Sequence, residues 1–333
     1  MRLLKYVIML LFVSGFSFTQ SLNQDFRFED KIRIKEAINF FNGYGHKLWN
    51  DWDKSTFGIL LVTSNNEYLI NHPNPGEEFK LVGFDSVLST DIYTRGRKFP
   101  TNFLATFNAV SNIPTVVVGQ PENAGRSSLG WLKALLHEHF HQYQYSQADY
   151  VEKTKVLDLA GDDSTGMWML NYPFPYEEDK VAGQYRTLTL AAKNTAFAER
   201  GKDFENNYNL YRKEREKFKN LLSEKDYRYF SFQIWQEGIA QYTENQMIQI
   251  MKDAKYQPSD EFRSLTDYKD IDSFYVRVIN NLMENAELLD LRTSKRACFY
   301  TLGALEGMIL DKVNPKWNDL YLKDKLSIDS YFK

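Results

Sequence analysis

A change of texture along the chain does most to limit its possible folds. Between about residues 56 and 119 the sequence is a series of short β-rich runs, FGILLVT, NEYLI, FKLVGF, DIYTRG and PTVVVG, broken by turn signals such as SNN and HPNPGE. From Ser127 onward the apolar residues recur at helical spacing, apart from a loop at about 158 to 176, LDLAGDDSTGMWMLNYPFPY. Helices are predicted at about 178–199, 204–223, 231–252, 271–290 and 295–311, and one more precedes the sheet at 28–50. In YRKEREKFKNLL the charges form a solvated face, with Tyr208, Tyr211, Phe218 and Leu222 turned inward. A sheet followed by helices is an α+β architecture, here divided at about residue 125 into an N-terminal helix-and-sheet part and a helical part. No internal repeat or low-complexity tract interrupts it.

The ends and the charge narrow the function classes. MRLLKYVIMLLFVSGFSFTQS has basic Arg2 and Lys5, an apolar run from Tyr6 to about Phe18, and small residues at Ser17, Thr19 and Ser21. This is the pattern of a secretory signal cleaved near Thr19, giving residues 1–19 as the leader. Its apolar run is shorter than the roughly 20 residues of a spanning helix, so an exported protein, periplasmic or extracellular, with no stable membrane anchor is expected. Lys and Arg total 41 against 44 Asp and Glu, without a basic stripe interleaved with aromatics, which excludes nucleic acid as an expected partner. Loss of Arg2 and Lys5 with the leader takes the formal charge from −3 to −5. The single cysteine, Cys298, cannot close an internal disulfide and reads as a small buried hydrophobe. The fold must therefore hold through its core, with or without a metal.

Histidine is rare, five in 333 residues, yet His137, His139 and His141 fall together in LLHEHFHQYQ. On a helix His137 and His141, four apart, are separated by about 40° and can reach one ion. Glu138 lies about 100° round, suited to touch a water on that ion, which is the general-base position of an HExxH motif. His139, about 200° from His137, joins Leu132, Leu135, Leu136, Phe140 and Tyr143 on the apolar face and is expected in the core. Ser127 or Ser128 can cap this helix, while Gly130 and Ala134 leave space beside the histidine pair. His46 and His72 sit upstream in helix-end and loop contexts, so a carboxylate is the better third ligand. Glu237, in WQEGIAQYTENQ, is flanked by Gly238 and Ala240, which let two helices approach closely.

The stretch WQEGIAQYTE resembles the second zinc motif of the gluzincin metallopeptidases, in which a glutamate completes an HExxH site. The resemblance covers residues 127–145 and 231–247 and implies a zincin-like fold, with Zn2+ held by His137, His141 and Glu237. It also implies Glu138 as the base in hydrolysis of a peptide or protein substrate, and a tyrosine or histidine at the oxyanion; with His46 and His72 poorly placed, a tyrosine is favoured. Tyr300 is the first choice for that tyrosine and Tyr242 the second. Ninety-five residues lie between His141 and Glu237, so a long insertion at about 146–230 is expected. Gln241 and Glu244, within about 40° of Glu237 by helical phase, are candidates to support it. IPTVVVG, residues 113–119, is similar to the edge strand on which zincins hold an extended peptide, and a buried strand would read the same. The aromatic loop either lines the cleft or packs on itself. Two other readings remain open from the sequence: a non-catalytic zincin-like domain that binds metal or a protein, and an exported helical protein in which the two motifs are coincidental.

Overall fold

The computed structural model describes residues 25–332, so the expected leader lies outside the described residues. Helix α1 (Phe28–Tyr44) opens with acidic Glu29 and Asp30 and buries Ile34, Ala37, Phe40 and Phe41. It is shorter than expected, because a 3-10 turn, Gly45–Lys47, replaces its last part, and a second, Trp52–Lys54, follows.

Six strands follow: β1 (Ile59–Val62), β2 (Asn66–Ile70), β3 (Lys80–Asp85), β4 (Thr90–Gly96), β5 (Leu104–Val110) and β6 (Ile113–Gly119). They form one mixed sheet in the order β3-β4-β2-β1-β6-β5. Only the β1–β6 pair is parallel, with Ile59 opposite Val116; every other pairing is antiparallel. Central strand β1 is buried on both faces. Its Ile59 and Leu61 join the main core with Val116 and Val118. Leu60 and Val62 point the other way, into a smaller cluster with Leu69, Phe79 and Val117. This period-two division follows from the pleat, which sends successive side chains to opposite faces. The structure corrects one expectation here: IPTVVVG is β6, an interior strand between β1 and β5, and the edge on that side is β5.

The helices share one core with the inner face of the sheet. Helix α2 (Ser128–Tyr145) is capped by Ser127, whose hydroxyl accepts from Gly130 N at 3.3 Å, and it lies against β5 and β6. Helices α3 (Asp179–Phe197) and α4 (Lys202–Leu221) pair in the region expected as an insertion; α4 buries Tyr211 and Phe218 and keeps Tyr208 partly buried. Next, α5 (Glu224–Gln233) runs through a five-residue π-turn, Ile234–Gly238, into α6 (Ile239–Asp253). Helices α7 (Ile271–Leu288) and α8 (Ala297–Val313) are the remaining long ones, with shorter helical segments such as Tyr150–Val156 between the elements. One continuous apolar core joins α1, the inner sheet face and these helices.

The crossing of the π-turn with α8 is set by two glycines. A Cβ on Gly238 would stand 2.6 Å from Gly303 Cα, and one on Gly303 would stand 2.4 Å from Gly238 Cα, so no larger residue fits at either position without moving backbone. Cys298 is buried in α8, where burial pushes its thiol up to about 12, beyond ordinary nucleophilic range. Among the described residues no helix is long and apolar enough to cross a membrane.

Candidate metal centre

The two faces of α2 lead to different surroundings. On one, Gly130, Ala134, His137, Glu138 and His141 line a cleft of about 1090 Å3. On the other, His139 is fully buried, as its phase predicted. Its ring stacks on Phe57 with centroids 4.0 Å apart and meets the edge of Phe41 at 4.2 Å. Both its nitrogens are satisfied, Nδ1 by Gln142 Oε1 at 2.7 Å and Nε2 by Ser55 Oγ at 3.1 Å. Burial lowers its pKa to about 3, so this imidazole is neutral across the physiological range.

The π-turn of residues 234–238 carries Glu237 to the histidine pair. His137 Nε2 and His141 Nε2 are 3.1 Å apart, and Glu237 Oε2 lies 3.2 Å from His141 Nε2 and 3.7 Å from His137 Nε2. Three lone-pair donors thus converge in a small triangle. Ligands bonded at about 2.0–2.1 Å in a tetrahedral site stand about 3.3 Å from one another, so the observed spacing suits a small cation such as zinc. Calcium, with six to eight oxygen ligands at longer distance, does not suit a set containing two imidazoles.

A layer of polar partners orients these donors. His141 Nδ1 lies 2.7 Å from Gln144 Oε1, which makes Nδ1 the protonated nitrogen and leaves the Nε2 lone pair toward the triangle. Gln144 is fixed in turn: its Nε2 donates to Tyr321 Oη at 2.7 Å and to Gln236 O at 3.0 Å, and its Oε1 accepts from Gln236 Nε2 at 3.0 Å. His137 Nδ1 faces Glu244 Oε2 at 3.5 Å, and Glu244 is paired with Lys133. Burial opposes a charged His137, but hydrogen bonds from it to Glu237 and Glu244, with the further charge of Glu138, raise it to about 10. Burial also opposes charge on the two carboxylates. The histidine pair nonetheless holds Glu237 well below the usual carboxylate range, and Lys133 and His137 bring Glu244 to about 2.

Glu138 lines the cleft beside the triangle. The Thr106 hydroxyl of β5 lies 2.9 Å from its Oε2 and 2.8 Å from its carbonyl oxygen, which fixes both carboxylate and helix against the edge strand. Across the cleft, Tyr300 lies parallel to the His137 ring with centroids 6.0 Å apart, and its hydroxyl accepts from Arg296 Nη1 at 2.9 Å. The same nitrogen is 3.7 Å from Glu237 Oε1.

Several expectations need correction. Tyr242 is not among the residues that line the cleft, and its hydroxyl donates to Asp311 at 2.8 Å. Glu244 turns to Lys133 and to Nδ1 of His137 rather than to Glu237, which meets the other nitrogen of the same imidazole. Gln241 lines the cleft. The loop does both things expected of it as alternatives. Trp168, Phe174 and Tyr176 are buried, whereas Met167, Met169 and Leu170 line the cleft. Its backbone is tied down at Met169 O, which accepts from Gln233 Nε2 at 2.7 Å and Tyr229 Oη at 3.0 Å. His46 and His72 take no part: His46 is exposed near Asp53, and His72 Nε2 contacts Thr115 Oγ1 at 3.1 Å.

Thr106, Arg296 and Gln144 are site residues that the sequence reading did not pick out. Gln144, three positions after His141, and Arg296, four before Tyr300, had helical spacing as a signal; Thr106 had none while its strand went unrecognised. No protein-family model, curated protein or solved structure matches this chain.

Proposed function

We propose that this chain is a zinc-dependent hydrolase of peptide bonds, of the gluzincin type, exported from the cell. The observation that carries the reading is the convergence of His137 Nε2, His141 Nε2 and Glu237 Oε2 at 3.1–3.7 Å on the wall of a large cleft, with Glu138 beside them. When bound there, zinc supplies Lewis-acid chemistry, polarising a carbonyl and lowering the pKa of water toward about 7. Three protein ligands suit a catalytic site, in which a further position stays free for water or substrate.

The chain's own residues divide the remaining work. Glu138, aimed by the Thr106 hydroxyl, takes a proton from the attacking water and returns it to the leaving amine. Tyr300, held by Arg296, offers its hydroxyl to the oxygen on which charge develops. The edge strand β5, which lines the cleft from Leu104 to Phe107, offers unpaired backbone groups for an extended peptide.

Two measurements test this together. Mature protein purified without a histidine tag should contain one zinc per chain by mass spectrometry, with much less in Glu237→Ala. Glu138→Gln should keep the metal and lose about 10²–10⁴-fold in peptide hydrolysis. Absence of bound metal after zinc reconstitution and dialysis, or unchanged turnover in Glu138→Gln, would overturn the reading.

A further inference from the structure

The ends of the cleft differ in charge. At one end His137, His141 and Glu237 stand among Glu138 and Glu244. Going from there toward the start of α2, the same wall continues through Gly130 to Arg126, which lies just before the helix; the nine helical steps from Ser128 to His137 alone span about 13.5 Å, so this end is roughly 15 Å away. β5 runs alongside. Its Thr106 meets Glu138, while the preceding Phe103 reaches the Arg126 end, since Phe103 O accepts from Gly119 N and Pro121 O from Arg126 N, both at 2.8 Å.

Arg277 belongs to that same far end. The Lys133–Glu244 pair ties α2, one turn before His137, to α6 two turns after Glu237, so moving away from the triangle means moving toward the end of α6. Helix α7 is antiparallel to it: Leu282 shares a small pocket with Asn245, and Tyr275 lies under Lys252 Nζ at 5.1 Å. Arg277 falls between those levels and lines the cleft, its guanidinium 5.1 Å from the Phe274 ring centroid. The other two cations of the lining are already engaged, Lys133 by Glu244 and Arg296 by Tyr300 and Glu237. Arg126 and Arg277 are exposed, and among the described residues neither is paired with a carboxylate. A chain with net negative charge thus presents two free guanidiniums at one end of its cleft.

Building on the peptidase reading, we infer that Arg126 and Arg277 form a carboxylate-binding subsite, which selects peptides bearing an acidic side chain or a terminal carboxylate about five residues from the bond cleaved. The separation follows from roughly 15 Å of cleft and about 3.3 Å per extended residue. Guanidinium suits the task because its planar donors match a carboxylate and remain charged at all relevant pH.

The test measures binding, using Glu138→Gln loaded with zinc so that the peptides stay intact. Fluorescein-labelled peptides of one core sequence are compared by anisotropy: neutral and amidated, with a distal glutamate and amidated, and ending in a free carboxylate at the same distance. At least one acidic peptide should bind about tenfold more tightly than the neutral one, with the advantage shrinking as salt rises. A preference for glutamate alone assigns the subsite to internal acidic residues, and one for the free terminus alone assigns it to chain ends. Adding Arg277→Ala should remove the preference, and Arg277→Glu should reverse it toward a lysine-bearing peptide; exposure of this residue keeps both variants foldable. Equal affinity for neutral and acidic peptides, while the parent still hydrolyses them, would overturn this inference alone. No binding of any peptide would remove both it and the peptidase reading.

Discussion

Helix α2 has two faces that bear the same rare residue and put it to opposite uses. His137 and His141 look into a cleft, each with a polar partner behind it and Glu237 in front. His139, between them in sequence, is enclosed by Phe57, Phe41 and Trp52. The environments drive the imidazoles apart, with His137 raised to about 10 by its carboxylates and His139 lowered to about 3 by burial. Residue type therefore says little by itself. Position around the helix, and what stands opposite, decides between ligand chemistry and packing.

Substitution on each face should separate the two roles. His141→Ala removes a donor from the triangle and is expected to weaken zinc binding by more than about 100-fold, with little change in the unfolding of the metal-stripped protein. His139→Ala should do the reverse, costing about 3 kcal/mol in urea unfolding through a cavity and unpaired partners, while the folded fraction keeps its zinc. Loss of metal in both, or in neither, would break the comparison. Gln144→Ala tests the layer behind the cleft face: freed from its hydrogen bond, His141 should bind zinc about 10–100-fold less tightly, read by competition with a chelating dye. An unchanged affinity would mean that packing alone orients the ring.

The smallest effect is pH-dependent. Because the fold lowers the pKa of His139, its contribution to stability is complete above the unfolded value of 6.5 and is lost as pH falls from there toward about 3. Relative to His139→Phe, the parent should lose about 1.4 kcal/mol per pH unit below that point. Urea unfolding at several pH values from neutrality down to about 5 measures it. Parallel stability curves for the two proteins would remove His139 from this role.

What could be read from the sequence follows the same logic of period and phase. The α+β order, five of the six strands and the main helices were visible because each repeats its apolar residues over several turns or pleats. The placing of His137, Glu138 and His141 on one side of α2 and His139 on the other came from helical phase alone. Gly238 was legible as a close-approach residue, although its partner Gly303 was not. β5 was missed because LATFNAV alternates weakly: as an edge strand beside a cleft it is half exposed, and its pairing with β6 shifts between Phe107 and Val110. Thr106 went unseen with it. The π-turn was likewise hidden, since a single five-residue turn leaves no trace in a pattern read at 3.6 residues per turn.

The glycine crossing has a mechanical consequence. With Gly238 and Gly303 in backbone contact, the turn that presents Glu237 and the helix that presents Arg296 and Tyr300 are geared together and have no slack between them. A displacement of α8 therefore carries over to Glu237, and with it to the spacing of the histidine–glutamate triangle.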